Sequence, residues 1–178
     1  MYKRSSSMLV LFLMGASVAL AQAVVYHVGR PATLEEIRAR DISVAPDGKG
    51  LPSGHGNVAS GRRIYQSQCS GCHGSHGEGA GNYPPLVGGR GTLATSKPLL
   101  TVGSYWPYAT TVWDFIRRAM PYQEPGSLSP DQTYSLTAFI LFLNGIVGDQ
   151  TELNEQNLAR IRMPNRDGFV PDPRPDIR

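Results

Sequence analysis

Cysteine is scarce in this chain: its 178 residues hold two, Cys69 and Cys72, separated by two residues. A structural zinc site takes four ligands, and without a second cysteine pair the chain is short of them. A thioredoxin-like pair follows a strand in a βαβ setting, whereas the run before Cys69 reads as helix and the run after it is rich in glycine. Charge is sparse as well, at 17% of residues, and no basic stripe with interleaved aromatics marks a nucleic-acid surface. The chain has no internal repeat. Its longest apolar run, Met8 to Leu20, falls short of the roughly 20 residues of a membrane span.

What the two cysteines do have is a histidine directly after them. Cys69-Ser70-Gly71-Cys72-His73 is C-x-x-C-H, the attachment site of one covalent c-type haem. The thiols of Cys69 and Cys72 add across the haem vinyl groups. His73, beside the second thioether, reaches the iron from one side. With both thiols used, no disulfide is left to form.

The N-terminus is consistent with such a cofactor, which is attached outside the cytoplasm. Lys3 and Arg4 precede the Met8–Leu20 apolar run, and Ala19-Leu20-Ala21 ends it as an A-x-A cleavage site, with Ala21-Gln22-Ala23 as a second choice. Residues 1–21 therefore read as a secretory signal peptide, with the periplasm as destination and no stable membrane span after cleavage. The formal charge of +3 includes Lys3 and Arg4, so the mature chain carries about +1. Two haem propionates bring it to neutral or slightly acidic.

Residues 22–56 read as an N-terminal arm. Thr33 and Glu36 form a capping box for a short helix through about Arg40, and Pro46-Asp47-Gly48 and Pro52-Ser53-Gly54 are turns. Residues 57–147 form the expected haem domain. Asn57 caps a helix whose Gly61 and Tyr65 share one side, where another helix can approach closely. This helix ends at the haem motif. A glycine-rich loop with Pro84-Pro85-Leu86 at its middle follows. The Pro84 carbonyl is a candidate acceptor for Nδ1 of His73, the bond that fixes a ligand's tautomer and raises its basicity; a plain turn is the other reading.

Thr110 or Thr111 starts a helix closed by Met120-Pro121. Ser129-Pro130-Asp131-Gln132 opens the last strong helix, apolar around most of its circumference, which Asn144-Gly145 ends. Residues 148–178 read as an extended C-terminal tail, with one more short helix over Asn154 to Arg160.

The second axial position needs a Met, a His, a weak ligand or water. Met120, after the helix that carries Trp113, comes in the right order to bring a thioether over the far haem face, and His/Met ligation suits electron transfer. Met163, His27, His55, His76 and an open site are the alternatives. His76 is too near His73 in sequence to cross the ring. Trp106 and Trp113 are expected in the haem wall, where an indole N–H can reach a propionate. Arg117 and Arg118 read either as a propionate partner and a partner-facing cation or as solvated surface residues.

The order of helix, C-x-x-C-H, Pro-Pro-Leu loop, Met-Pro and apolar last helix resembles the class I cytochrome c fold, an all-α architecture around one haem. Longer strings narrow the resemblance: Gly29-Arg30-Pro31-Ala32-Thr33, Thr101 to Thr111 (TVGSYWPYATT), Arg117-Arg118-Ala119-Met120-Pro121, and Met163 to Phe169 (MPNRDGF). They are similar to SoxD, the cytochrome subunit of sulfane dehydrogenase in thiosulfate oxidation, and to cytochromes of periplasmic sulfite dehydrogenases. That resemblance implies His73 and Met120 as the axial pair. It also implies a molybdenum-cofactor subunit, SoxC-like or sulfite dehydrogenase-like, as electron donor, and a cytochrome c or oxidase downstream. Some members of the family carry two haems, and this chain has one motif. The expected role is that of an electron-accepting subunit, with no catalytic acid, base or nucleophile of its own. The rivals are a stand-alone electron shuttle and a haem protein with an open site for a ligand.

Overall fold

The computed structural model describes residues 28–174. The expected signal peptide with its candidate cleavage sites, and His27, lie outside the described residues. Two compact units divide at Asp41 and Ile42. In the first, the capping box forms as its spacing dictates: Thr33 accepts from the Glu36 N–H and Glu36 accepts from the Thr33 N–H, starting helix α1, Leu34–Arg40. Both guanidinium ends of Arg30 also reach the Glu36 carboxylate. That pairing, with the Thr33 backbone bond, holds the Glu36 carboxyl down at about 2.

The second unit contains strand β1 (His55–Asn57) and helices α2 (Val58–Gln68), α3 (Ser70–His73), α4 (Ala109–Ala119) and α5 (Pro130–Leu143). Strand β2 (Glu152–Asn154) and a 3₁₀ turn, Leu158–Arg160, complete it. The centre is the crossing of α2 and α5. Gly61 meets the backbone of Ser135, so the two helices approach as closely as their main chains allow. Tyr65 packs edge-on against Phe139, with ring centroids 5.2 Å apart. The polar side chains that α5 buries satisfy themselves: the hydroxyls of Thr133, Ser135 and Thr137 donate to the carbonyls one turn back, at 2.9, 2.8 and 2.7 Å.

Ser129 and Gln132 close a full capping box on α5, with Pro130 in the first turn. Ser129→Ala should lower stability by about 1 kcal/mol, read by urea unfolding; a change below the error of the fit would mean that Gln132 alone supplies the cap. Helix α4 starts at Ala109, one residue before the expected Thr110, and has no side-chain cap. The Thr110 hydroxyl is used elsewhere, donating to the Pro46 carbonyl at 3.3 Å.

The expectation of a purely helical fold is corrected by the sheet. β1 and β2 pair antiparallel, His55 opposite Asn154 and Asn57 opposite Glu152. The helix expected over Asn154 to Arg160 is likewise replaced, by β2 and the 3₁₀ turn. The side chain of Asn154 accepts from the N–H groups of Gln156 and Asn157, a local bond that turns the chain before a helix can start.

Both flanks of the haem segment are drawn onto this core. Val44 donates its N–H to Asp114, Tyr134 donates its hydroxyl to the Pro52 carbonyl, and His55 N–H bonds to Asp131 at 2.8 Å. On the other side Leu153, Leu158 and Met163 are fully buried, each a contribution of about 1.5–3 kcal/mol. The first half of the segment read as a tail is therefore core. Among the described residues no helix is long and apolar enough to cross a membrane.

Candidate haem-binding site

Helix α2 breaks at Cys69, whose φ of −120° and ψ of −33° depart from helical values, and the chain re-enters a single helical turn, α3. His73 N–H bonds to the Cys69 carbonyl at 2.9 Å, and Cys72 N–H bonds to the same carbonyl at 3.2 Å. This turn gathers both sulfurs and the imidazole within five residues. Gly74 then leaves it at φ +78°, where a Cβ would run into the Glu78 carboxylate. Tyr65 fixes the turn from below, its hydroxyl donating to the Gly74 carbonyl at 2.9 Å. Burial, reinforced by Cys72, pushes the Cys69 thiol up to about 11. A thiol so protonated is a poor redox nucleophile.

His73 Nδ1 lies 3.4 Å from the Pro84 carbonyl oxygen. The loop that carries Pro84 is anchored from both ends: Leu86 N–H bonds to Gly77 at 2.7 Å, and the Leu86 carbonyl accepts from Val102 and from the Asn144 side chain. Met120 is the C-cap of α4, half-buried, with its N–H on the Ile116 carbonyl. Cys69, Leu86, Trp106, Met120, Phe142 and Leu143 all border the core as half-buried side chains.

The alternatives for the second ligand sit differently. Met163 is 1% exposed and belongs to the hydrophobic core. His55 is exposed at the start of β1. His76 is exposed, and its ring contacts the Ser75 hydroxyl.

Two polar atoms on α4 test whether a haem suits this chain. Trp113 Nε1 and one terminal nitrogen of Arg117 are buried without a hydrogen-bond partner. The Arg117 guanidinium lies over the Trp113 ring, 5.7 Å from its centroid. A buried donor left unpaired costs about 1–3 kcal/mol, more when it is charged. Both orphans are donors, and one is cationic, so an anion such as a carboxylate suits them as acceptor. A haem brings two, and the residues fit the group. Arg118 differs: it is half-exposed and pairs with Asp114 one turn back. Sequence alone left Arg117 and Arg118 equivalent. The signal that separates them is helical spacing, since Arg117 is four residues from Trp113 and Arg118 four from Asp114.

This fold and motif match the family model for cytochrome c oxidase, cbb3-type, subunit III over residues 56–140. The chain belongs to the c-type cytochrome family. Within it, the chain is related to the cytochrome subunit of a sulfur-oxidising complex: it is similar to the sulfane dehydrogenase SoxCD from Paracoccus pantotrophus, with 45% identity, 84% of this chain and 74% of that one covered, and a TM-score of 0.77. Two curated relatives are thiosulfate dehydrogenases, from Stutzerimonas stutzeri at 33% identity over 94 residues and from Psychrobacter arcticus at 26% over 112. The matches take in 50% and 57% of this chain but only 28% and 32% of those relatives.

Proposed function

We propose that the chain is a periplasmic monohaem cytochrome c that accepts electrons from a molybdenum-dependent sulfur-compound dehydrogenase, with sulfane sulfur or sulfite as the donor. The observation that carries this reading is the extent of the likeness to SoxCD. It covers 84% of the chain, well beyond the span matched by the general cytochrome model, and so takes in flanking segments that a bare shuttle does not need. The proposed organisation is a signal peptide over 1–21, an arm over 22–56, the haem domain and a C-terminal extension.

In this reading Cys69 and Cys72 would hold one haem c covalently, His73 and Met120 would ligate its iron, and Trp113 and Arg117 would donate to its propionates. The haem supplies an iron that stores and releases one electron. The chain's own residues orient and insulate that iron. The Pro84 carbonyl would fix the tautomer of His73, Met120 would supply the second ligand, and Trp113 and Arg117 on α4 would supply buried donors to the propionates. With His73 and Met120 both engaged, the group would take up electrons and no substrate, so the sulfur chemistry would belong to the partner, a SoxC-like or sulfite dehydrogenase-like subunit. A downstream cytochrome c or oxidase takes the electron.

The test mixes purified holoprotein with a SoxC-type molybdenum subunit and follows the haem spectrum after addition of a sulfane-bearing carrier or of sulfite. Reduction that depends on the subunit supports the reading, and the effective donor identifies the substrate. A haem that stays oxidised with both donors overturns it, and avid CO binding by the reduced protein would favour an open-site protein.

The propionate assignment makes its own prediction. Trp113→Phe removes the N–H together with one of the two fused rings of a fully buried side chain, so the holoprotein should lose about 2–4 kcal/mol in guanidinium unfolding, cavity and lost hydrogen bond together. Unchanged stability would show that the indole N–H has no acceptor in the holoprotein.

A further inference from the structure

The C-terminal end of α5 reaches the loop behind His73 through one side chain. Asn144, the C-cap residue, donates from Nδ2 to the Leu86 carbonyl at 3.1 Å while holding its own helix through the Ile140 carbonyl at 2.9 Å. The Leu86 carbonyl is therefore held from two sides, by Asn144 and by the Val102 N–H at 3.3 Å. The Asn144 amide has no room to swing away, because Gly103 packs against it so closely that a Cβ there would collide with its oxygen. Arg90 adds a third tie, donating to the Asn144 carbonyl at 3.0 Å.

Leu86 is two residues from Pro84, and the residue between them is Pro85. A proline ring fixes φ and restricts the residue before it. Pro84-Pro85 is thus a stiff pair whose far end is Leu86, and Leu86 is held at both its N–H, on the Gly77 carbonyl at 2.7 Å, and its carbonyl, so freeing that carbonyl loosens the anchor from which the Pro84 carbonyl is placed. That oxygen is 3.4 Å from Nδ1 of His73, a long contact that a small displacement would strengthen or abolish.

We propose that Asn144 is a positioning residue for the axial histidine: by holding the Leu86 carbonyl it sets the Pro84–His73 distance, and through it the reduction potential. The inference rests on the reading of His73 as an iron ligand. A proton on Nδ1 shared with a carbonyl makes the imidazole a stronger electron donor, which favours ferric iron. Loosening the loop removes that donation and favours ferrous iron.

The test compares holoprotein of the wild type with Asn144→Ala, Asn144→Leu and Ser129→Ala. Asparagine to leucine keeps the branched shape and loses the donor without adding a charge. Ser129→Ala weakens the same helix at its other end, where the cap bonds run to Gln132 and not to Leu86. The readouts are the reduction potential from a spectroelectrochemical titration and the exchange rate of the His73 Nδ1 proton in the reduced protein by NMR. Both Asn144 variants should shift the reduction equilibrium toward ferrous iron on the order of threefold, below the ten- to hundredfold effects of direct ligand partners. Their Nδ1 proton should exchange faster, and Ser129→Ala should match the wild type in both readouts.

Asn144 variants with wild-type potential and exchange would overturn the proposal, as would an equal shift in Ser129→Ala. If instead the wild-type haem can be extracted by acidified acetone, the covalent cytochrome reading itself fails, and this inference fails with it.

Discussion

Met120→Ala is expected to abolish the weak near-red absorption of a thioether-ligated ferric haem, at about 695 nm, and to lower the reduction potential by a sizeable part of the roughly 0.8 V that axial ligands span. The thioether is a poor donor to ferric iron and a good partner for ferrous iron, so its loss favours the oxidised state. The position supports the assignment: Met120 caps α4, is half-buried, and borders the core, while Met163 is enclosed by that core at 1% exposure. Optical spectra of both oxidation states and a redox titration decide the matter. A band that survives the substitution would remove Met120 as ligand. A wild type without the band that binds CO avidly when reduced would make the protein a ligand binder.

Gly61→Ala should be a severely damaging single-methyl change, at about 3 kcal/mol. The new Cβ would overlap the Ser135 carbonyl group and lie 2.8 Å from Phe139 Cβ. Neither obstacle is the end of a flexible side chain, so α2 and α5 must separate. Separation opens the Tyr65–Phe139 contact and displaces the Tyr65 hydroxyl from the Gly74 carbonyl, which disturbs the turn that holds Cys69, Cys72 and His73. The expected result is a sharp fall in holoprotein yield and, in what remains, a melting point lowered by about 10 °C or more. A variant melting within about one degree of the wild type would mean that the helices slide past each other at little cost.

Much of this organisation was written in short-range chemistry. Asn57, Thr33 with Glu36, and Ser129 with Gln132 each announce a helix start by a side chain three residues from its target. The haem motif needs only five consecutive residues, and the Gly61/Tyr65 spacing foretold a close crossing. The features missed are those in which distant segments meet. Strands β1 and β2 are three residues each and lack an alternating pattern long enough to detect. Leu153, Leu158 and Met163 are isolated apolar residues in a polar stretch, and their burial depends on surfaces supplied by α4, α5 and β1. The different environments of Arg117 and Arg118 depend on which side of α4 faces inward. Asn144-Gly145 read only as a helix stop, because a C-cap amide gives no local sign that its other bond goes to a carbonyl 58 residues away.

The ties between the two flanks have a consequence for how the molecule comes apart. His55 is held to Asp131 across 76 residues and Tyr134 to Pro52 across 82, with β1 and β2 paired beside them. Between these anchors the stretch from Gly88 to Leu100 is almost wholly exposed and carries no helix or strand. Such a stretch is where a protease nicks a folded chain. A cut there would not release two pieces: the N-terminal fragment would keep α2 with both cysteines, the C-terminal fragment would keep α4 and α5, and the crossing of α2 on α5 would hold them as one non-covalent particle. The domain is thus divisible in its covalent chain while remaining single in its core.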